Sequence, residues 1–365
     1  MSHQHTCTAS HICVELCAGA GGQALGLEQA GFRHMALIEL DKDACRTLRT
    51  NRPNWNVVEA DIRSLPAVSI SGGDRVSLLA AGVPCPPFSL AGKQLGADDE
   101  RDLFPSVLSL ISVIKPRAVL IENVKGLLQR KFSKYRSNII ETLAGLGYTA
   151  EWKLLYARDF GVPQLRPRAA LVALEADAFG SFQWPSAEST INGNALVGNV
   201  LRDSMASRGW ELADLWAQQA QQIAPTLCGG SKKHGGPDLG PSRARQAWAR
   251  IGVNGSGVAD VPPAPGDPLP VKLTIEQMAL LQGFPPDWKF EGLKTSAYRQ
   301  VGNAFPPPVA QAVGIKIAEA LRQADVPASR DTPQTDLDAE TALNGTCRPS
   351  PLNLPEATRS LSSKP

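Results

Sequence analysis

The sequence has no C-x-x-C pair, and its seven cysteines are odd in number and scattered from Cys7 to Cys347. That argues against a disulfide framework or a structural zinc site, and no metal is expected. No apolar run reaches the ~18 residues of a membrane span, so no membrane partner is expected. The opening stretch, "MSHQHTCTASHICVEL", lacks the basic, apolar and small-residue order of a secretion signal, so a cytoplasmic protein is expected. There is no internal repeat and no excess of one charge. The formal net charge of +2 decides nothing about partners, although local charge can. What is present is ordinary in bulk. The 365 residues, 43% hydrophobic and 20% charged, suit a soluble chain of one large domain or a large and a small one.

The first half alternates strands and helices. "HICVELC", "HMALIEL", "NVVEADI", "RVSLLAAG" and "RAVLIEN" are short, near-continuous apolar runs. Between them lie helical patterns: "GGQALGLEQAGF", "DKDACRTLRTN" opened by Asp41, and "RDLFPSVLSLISVIK" with Pro105 near its first turn. "YRSNIIETLAGLGY" and "RAALVAL" continue the alternation. Such a pattern predicts an α/β fold, a doubly wound, Rossmann-like parallel sheet with both faces covered. From about Glu175 the texture turns rich in glycine, proline and amides. Between Thr226 and Arg250 five cations (Lys232, Lys233, Arg243, Arg245, Arg250) face one acid, Asp238. "VADVPPAPGDPLP" reads as a linker. Order returns with "LTIEQMALLQGF", where Thr274 and Gln277 form a capping box. A last helix follows Pro306, Pro307 and Pro308. The Ser-, Thr- and Pro-rich tail is expected to be disordered.

Three places concentrate chemistry. Gly19, Gly21 and Gly22 fall between the first strand and first helix, where glycines allow a tight turn and close approach of a ligand. Glu39 ends the second strand, where an acid commonly bonds a ribose, and Asp61, read as ending the third, suits an adenine amino group. The dinucleotide pattern G-x-G-x-x-G is absent, because the third glycine follows at once; this favours a nucleoside without a pyrophosphate. In "GVPCPPFSLAGKQ", Pro84 and Pro86 stiffen the chain around Cys85, just past the fourth strand. A buried thiol needs no such frame, whereas an attacking thiol needs a fixed direction. "IENV" puts Glu122 and Asn123 at the end of the fifth strand, and "PQLRPR" puts Gln164, Arg166 and Arg168 just before the next. Singly these are ordinary; together they offer a thiol, an acid and a guanidinium around one pocket.

In order, "ELCAGAGG", "GVPCPPFS", "IENV", "QLRPR" and "QVGNAFPPPVAQAVG" resemble the motifs of the DNA cytosine 5-methyltransferases of bacterial restriction-modification type, over residues 11–174 and 273–321. The resemblance implies Cys85 as nucleophile on carbon 6 of a flipped-out cytosine, Glu122 at ring nitrogen 3, and Arg168 on the carbonyl oxygen with Arg166 assisting. It implies S-adenosyl-L-methionine as cofactor, held by Cys17, Gly19, Gly21, Gly22, Glu39 and Leu40. Asp61, Ile62, Pro84, Leu103, Asn303 and Ala304 would complete that pocket. DNA contacts are expected from Ser89, Gln164, Lys232, Lys233, Arg243 and Arg245. Cys17 stands where the family commonly has Phe, so the adenine contact there is smaller or comes from elsewhere; Pro86 stands where Gln is frequent and still permits the turn.

The implied organisation is a catalytic and cofactor-binding domain over 1–174 and a smaller, irregular target-recognition domain over 175–270. Residues 271–325 return to complete the first, and a tail covers 326–365. The implied partners are double-stranded DNA and, genetically, a cognate restriction endonuclease, with the protein a monomer. Two other readings stay open. The tRNA cytosine methyltransferases share these motifs but carry a Cys-Phe-Thr absent here. A non-catalytic DNA-binding protein on the same fold would not need every catalytic residue type. A nicotinamide oxidoreductase would explain neither "PCPPFS" nor "QLRPR".

Overall fold

The computed structural model describes residues 11–66, 75–84, 102–187, 195–230 and 236–326. Its centre is a seven-stranded sheet of order β3-β2-β1-β4-β5-β7-β6. The strands are β1 (His11–Leu16), β2 (Phe32–Glu39), β3 (Val57–Glu59), β4 (Leu78–Gly82), β5 (Ala118–Val124), β6 (Tyr148–Tyr156) and β7 (Pro167–Glu175). The helices are α1 (Gly22–Gln29), α2 (Lys42–Asn51), α3 (Phe104–Ile114), α4 (Ser133–Gly145), α5 (Ala176–Phe179), α6 (Val197–Ala206), α7 (Ala213–Gln219), α8 (Ser242–Ala249), α9 (Ile275–Leu281), α10 (Lys294–Asn303) and α11 (Pro307–Ala324).

Strands β3, β2, β1, β4 and β5 pair in parallel, as their unbroken apolar runs predict. Strand β7 departs from the expected parallel sheet: it runs antiparallel to both β5 and β6. The reason is β6, which the sequence reading passed over and which forms a hairpin with β7. Its sequence, YTAEWKLLY, alternates exposed and covered positions, as suits an edge strand with one solvated face. The reversal has a functional consequence. The chain enters β7 at the sheet edge where β1, β2, β4 and β5 end, so "QLRPR" arrives beside those carboxyl ends.

Local signals hold where the structure describes them. Asp41 accepts from the N–H groups of Asp43 and Ala44 and opens α2. Thr274 and Gln277 form the reciprocal capping box of α9. Pro307 starts α11, where its missing N–H costs nothing. The third strand is shorter than expected, so Asp61 lies two residues beyond β3 and caps the 3₁₀ turn Ile62–Ser64.

Helix α11 returns to the sheet and packs along α1. The fit needs Gly22: a Cβ there would sit 2.3 Å from the Phe305 carbonyl oxygen. This glycine, read as a cofactor residue, is thus required by the docking of the returning segment.

Residues 175–270 are less irregular than expected. Trp210, Trp216 and Trp248 build an apolar core with Met205 of α6, Met278 and Leu281 of α9, and Tyr298 of α10. The stretch read as a linker folds back onto it, since the Trp210 indole donates to the Asp267 carbonyl and Ala264 N–H donates to the Asp267 carboxylate. The charges and polar turns of that stretch hid a folded element. Among the described residues no helix is long and apolar enough to cross a membrane.

Candidate active site

Register places the pocket. In the parallel β4–β5 pair Gly82 lies opposite Glu122. The chain leaving β4 therefore starts beside the Glu122 carboxyl, and Cys85 is three residues on, outside the described residues. Asn123, fully buried, donates to the Val83 carbonyl at 3.4 Å and accepts from its neighbour Val124 N–H at 2.8 Å. It ties the exit of β4 to the end of β5. Past the other end of that connection, Asp102 accepts from the N–H of Phe104 at the start of α3 and from the Tyr135 hydroxyl.

Arg168 reaches Glu122 across the antiparallel β5–β7 pair. It lies opposite Val124, so Glu122 is its diagonal neighbour on the same face. Arg168 Nε is 2.7 Å from Glu122 Oε1, with both side chains buried. Burial pushes the Glu122 carboxyl above its ordinary range; the charges of Arg168 and then Arg166 pull it back in part. A carboxyl so placed can carry a proton at the end of a strand and present it to a bound ligand.

Gln164 corrects the sequence reading, and Arg166 adds a structural role to it. Arg166 is fully buried and donates to the carbonyls of Leu227 (2.7 Å), Gly302 (2.8 Å) and Ala304 (2.7 Å). It assists Glu122 through charge, while its hydrogen bonds brace two distant segments, one at Leu227 and one at 302–304. Gln164, expected at DNA, is also fully buried. Its amide donates to Leu281 O and Gln282 Oε1, and its oxygen accepts from Leu227 N–H. With its donors and acceptor engaged inside the protein, Gln164 cannot read DNA in this arrangement. Arg243 and Arg245 stand exposed on α8. Ser89, Lys232 and Lys233 lie outside the described residues.

The cofactor candidates gather where the strand order reverses between β1 and β4, the usual ligand crevice of such sheets. Glu39 Oε2 accepts from Gly19 N–H at 2.7 Å, and Oε1 accepts from the N–H groups of Leu40 and Asp41. Three N–H donors leave about one of a carboxylate's four acceptor positions free. Burial raises the Glu39 carboxyl, and these bonds oppose the shift. Gly19 has φ +55°, and a Cβ there would meet nothing within 4 Å, so the loop opens on free space. Cys17 shares that left-handed backbone at φ 55°, and its thiol is pushed up by burial and by the neighbouring acids. Leu40 presents an apolar side chain that is 60% exposed beside the acid. Ile62 is buried, while Pro84 and Leu103 are half-buried. Asp61 is engaged by its neighbour Arg63, whose hydrogen bonds lower its carboxyl; an adenine amino group would have to share it. Asn303 is exposed at the end of α10 and donates to the Gly230 carbonyl, and Ala304 follows it, buried.

Residues 12–319 match the family described as C-5 cytosine-specific DNA methylase. The chain belongs to that family. It is 55% identical over 311 residues to the Type II methyltransferase M.NaeI of Lentzea aerocolonigenes, covering 84% of this chain and 75% of that protein. It is 50% identical over 313 residues to M.NgoMIV of Neisseria gonorrhoeae, covering 85% and 98%. The fold is similar to a crystal structure described as a DNA modification methyltransferase encoded within a prophage (E. coli), with TM-score 0.62, 24% identity, and coverage of 86% of this chain and 100% of that one. It is likewise similar to the Entamoeba histolytica methyltransferase EhMeth, with TM-score 0.60, 15% identity, and coverage of 86% and 99%. The sheet is the Rossmann-like sheet of the methyltransferases, and the enzyme is a DNA cytosine methyltransferase.

Within this family frame, the sequence reading missed Asn123 as a tether, Tyr135 as the partner of Asp102, and Tyr298, whose hydroxyl contacts the Cys228 and Asp238 carbonyls. The only signal for Asn123 was its place in "IENV". The two tyrosines carry no local signal, because their partners are 33 to 70 residues away.

Proposed function

We propose that this methyltransferase modifies carbon 5 of a cytosine at one recognition sequence in duplex DNA, as the modification partner of a restriction endonuclease. The observation that carries the mechanism is the buried Glu122–Arg168 pair at the carboxyl edge of the sheet, beside the point where β4 leads into Cys85. Similarity to named Type II methyltransferases supports the biological setting.

Carbon 5 of cytosine is a poor nucleophile inside an aromatic ring. The Cys85 thiolate adds to carbon 6, forming an S–C bond and giving carbon 5 enamine character. Charge that builds on nitrogen 3 is met by Glu122, and Arg168 holds the adjacent carbonyl oxygen. S-adenosylmethionine, when bound, supplies an electrophilic methyl group. Once carbon 5 carries the methyl, loss of its proton and expulsion of the Cys85 sulfur restore the ring. The target atom is hidden in a stacked duplex, so the base is extruded first, at a cost of a few kcal/mol.

The residues present fit that cofactor. Glu39 keeps an acceptor for a ribose hydroxyl, Gly19 opens on free space, and Leu40 offers an apolar surface to a purine. Glu39→Gln keeps the side-chain volume but exchanges one acceptor oxygen for a donor. It is expected to weaken cofactor binding by about 1.5 to 3 kcal/mol, the worth of a hydrogen bond to a charged group. Isothermal calorimetry reads this directly, and unchanged affinity removes Glu39 from the pocket.

Residues 175–270 carry exposed Arg243 and Arg245 and enclose Lys232 and Lys233 in sequence. Glycines let the backbone approach DNA closely, and Lys or Arg can reach phosphates or guanine edges. Exchanging this segment with that of a related enzyme should therefore move the methylated sequence in bisulfite sequencing of host DNA. An active chimera that keeps the original sequence would place recognition elsewhere. Wild-type protein that protects no cytosine from conversion would overturn the function itself.

A further inference from the structure

The chain that leaves β5 carries cations and no acid. Residues 123–140 hold Lys125, Arg130, Lys131, Lys134 and Arg136 against no Asp or Glu, in a chain whose formal net charge is only +2. Lys125 follows Val124 at the end of β5, three residues past Glu122, and Val124 lies opposite Arg168. We infer that Lys125, Arg130 and Lys134 form a phosphate-binding shelf for duplex DNA beside the catalytic residues, outside residues 175–270 and indifferent to base sequence. The inference rests on the proposed reading of duplex DNA as the substrate.

Topology puts these cations at the edge where Glu122 lies. Strands β5 and β6 both run antiparallel to β7, so they point the same way. Helix α4 joins the carboxyl end of β5 to the amino end of β6, so it starts at the edge of Glu122 and leads away from it. Two 3₁₀ turns, Lys125–Leu128 and Arg130–Phe132, and the first turn of α4 with Lys134 therefore share that edge. Packing decides which side chains face solvent. Gly126, Leu127 and Phe132 are buried, whereas Lys125, Arg130 and Lys134 are exposed. Arg136 is half-buried and donates to the carbonyls of Leu127 (2.6 Å) and Gln129 (2.9 Å), which holds both turns to α4. Tyr135 donates to Asp102 and meets the Phe104 ring edge-on at 5.8 Å, which holds α4 to the start of α3. The cations thus stand on braced backbone.

Duplex DNA carries a phosphate charge about every 1.7 Å along its axis, and exposed Lys or Arg side chains meet phosphates without reading bases. Among the described residues none of Lys125, Arg130 and Lys134 makes an ion pair, so no carboxylate offsets their charge. Exposed arginines elsewhere differ: Arg46, Arg63, Arg75 and Arg202 each pair with a carboxylate at 2.5 to 2.9 Å. Lys131 is engaged over the Phe132 ring at 4.9 Å and stands apart from the set. A base flipped out toward Glu122 draws its own backbone to this edge of the sheet, which brings the neighbouring phosphates to the shelf.

The test is a double variant, Arg130→Gln with Lys134→Gln, which removes two charges at exposed positions. A matched control, Arg33→Gln with Lys115→Asn, removes two from the opposite edge of the sheet. Arg33 is exposed near the start of β2, and Lys115 is exposed three residues before β5. Affinity is measured across a salt series for a duplex carrying the sequence that bisulfite mapping finds methylated and for the same duplex with one base pair changed. The shelf variant should flatten the slope of log affinity against log salt by about 1.8, that is about 0.9 for each lost phosphate contact. It should weaken both duplexes by the same factor, about tenfold or more at ~0.1 M salt. The KM for DNA should rise with it, while kcat at saturating DNA holds. The control should keep the wild-type slope, and Arg130→Lys with Lys134→Arg, which preserves both charges, should keep it too. An unchanged slope in the shelf variant, or the same change in the control, overturns the inference. Weakening confined to the methylated sequence also overturns it, because a phosphate contact cannot tell the two duplexes apart. Wild-type protein that methylates no duplex overturns the substrate reading instead, by a separate measurement.

Discussion

Replacing Cys85 with alanine is expected to end methyl transfer, with a loss on the order of 10⁶-fold, the effect of removing an enzyme's covalent nucleophile. Cofactor affinity should be unchanged, because Glu39 ends β2, Gly19 and Leu40 lie in the loops that follow β1 and β2, and none depends on the thiol. The expectation starts from the sequence, where Pro84 and Pro86 fix the backbone on both sides of the sulfur. It gains from the fold, which starts that stretch with Gly82 opposite Glu122 and ties the next residue, Val83, to Asn123. Duplex DNA with 5-fluorocytosine at the target gives a second readout. Fluorine cannot leave as a proton does, so wild-type enzyme stays covalently attached once sulfur has added and methyl has transferred. Cys85→Ala should form no such adduct in a denaturing gel. Turnover near the wild-type rate, or a persisting adduct, would sink the mechanism.

The parts of this site differ in how far sequence discloses them. Strands β1, β2, β4 and β5 were legible because a doubly covered parallel strand must be apolar along its length. Asp41 and Thr274 were legible because helix caps are local chemistry. The direction of β7 was not, since no periodicity distinguishes a strand from its reverse. Yet that direction is what delivers Arg168 to Glu122. Gln164 was misread, and the buried bonds of Arg166 went unseen, for a related cause. Polar residues in a catalytic motif suggest solvent and ligand, whereas here they are buried and spend their hydrogen bonds on backbone far along the chain. Gly22 shows the same overlap from the other side, a motif glycine whose visible constraint is the Phe305 carbonyl. Residues 175–270 were legible only as a change of texture, because their tryptophan core is completed by α9 and α10 from beyond them.

Glu122→Gln is expected to lower kcat by about 10² to 10⁴, the range for loss of a positioned general acid. Glutamine keeps the volume and an oxygen toward Arg168, but it has no proton to yield to nitrogen 3. The pH dependence follows from the raised Glu122 carboxyl. The useful form is the protonated one, so wild-type kcat should fall as pH rises through the folded-state value, which lies above the ordinary 4.5. The same shift acts on stability. Protonated Glu122 contributes fully below 4.5, and that contribution is lost as pH rises through the raised value. Arg168 gives the decisive comparison. Its charge is the largest influence opposing burial, so Arg168→Ala should move the falling limb of the kcat profile to higher pH while lowering its height. The position of the limb is read independently of its height, which separates electrostatic control of Glu122 from a general loss of activity. A limb that stays in place in Arg168→Ala, or full activity in Glu122→Gln, would remove Glu122 as the acid at nitrogen 3.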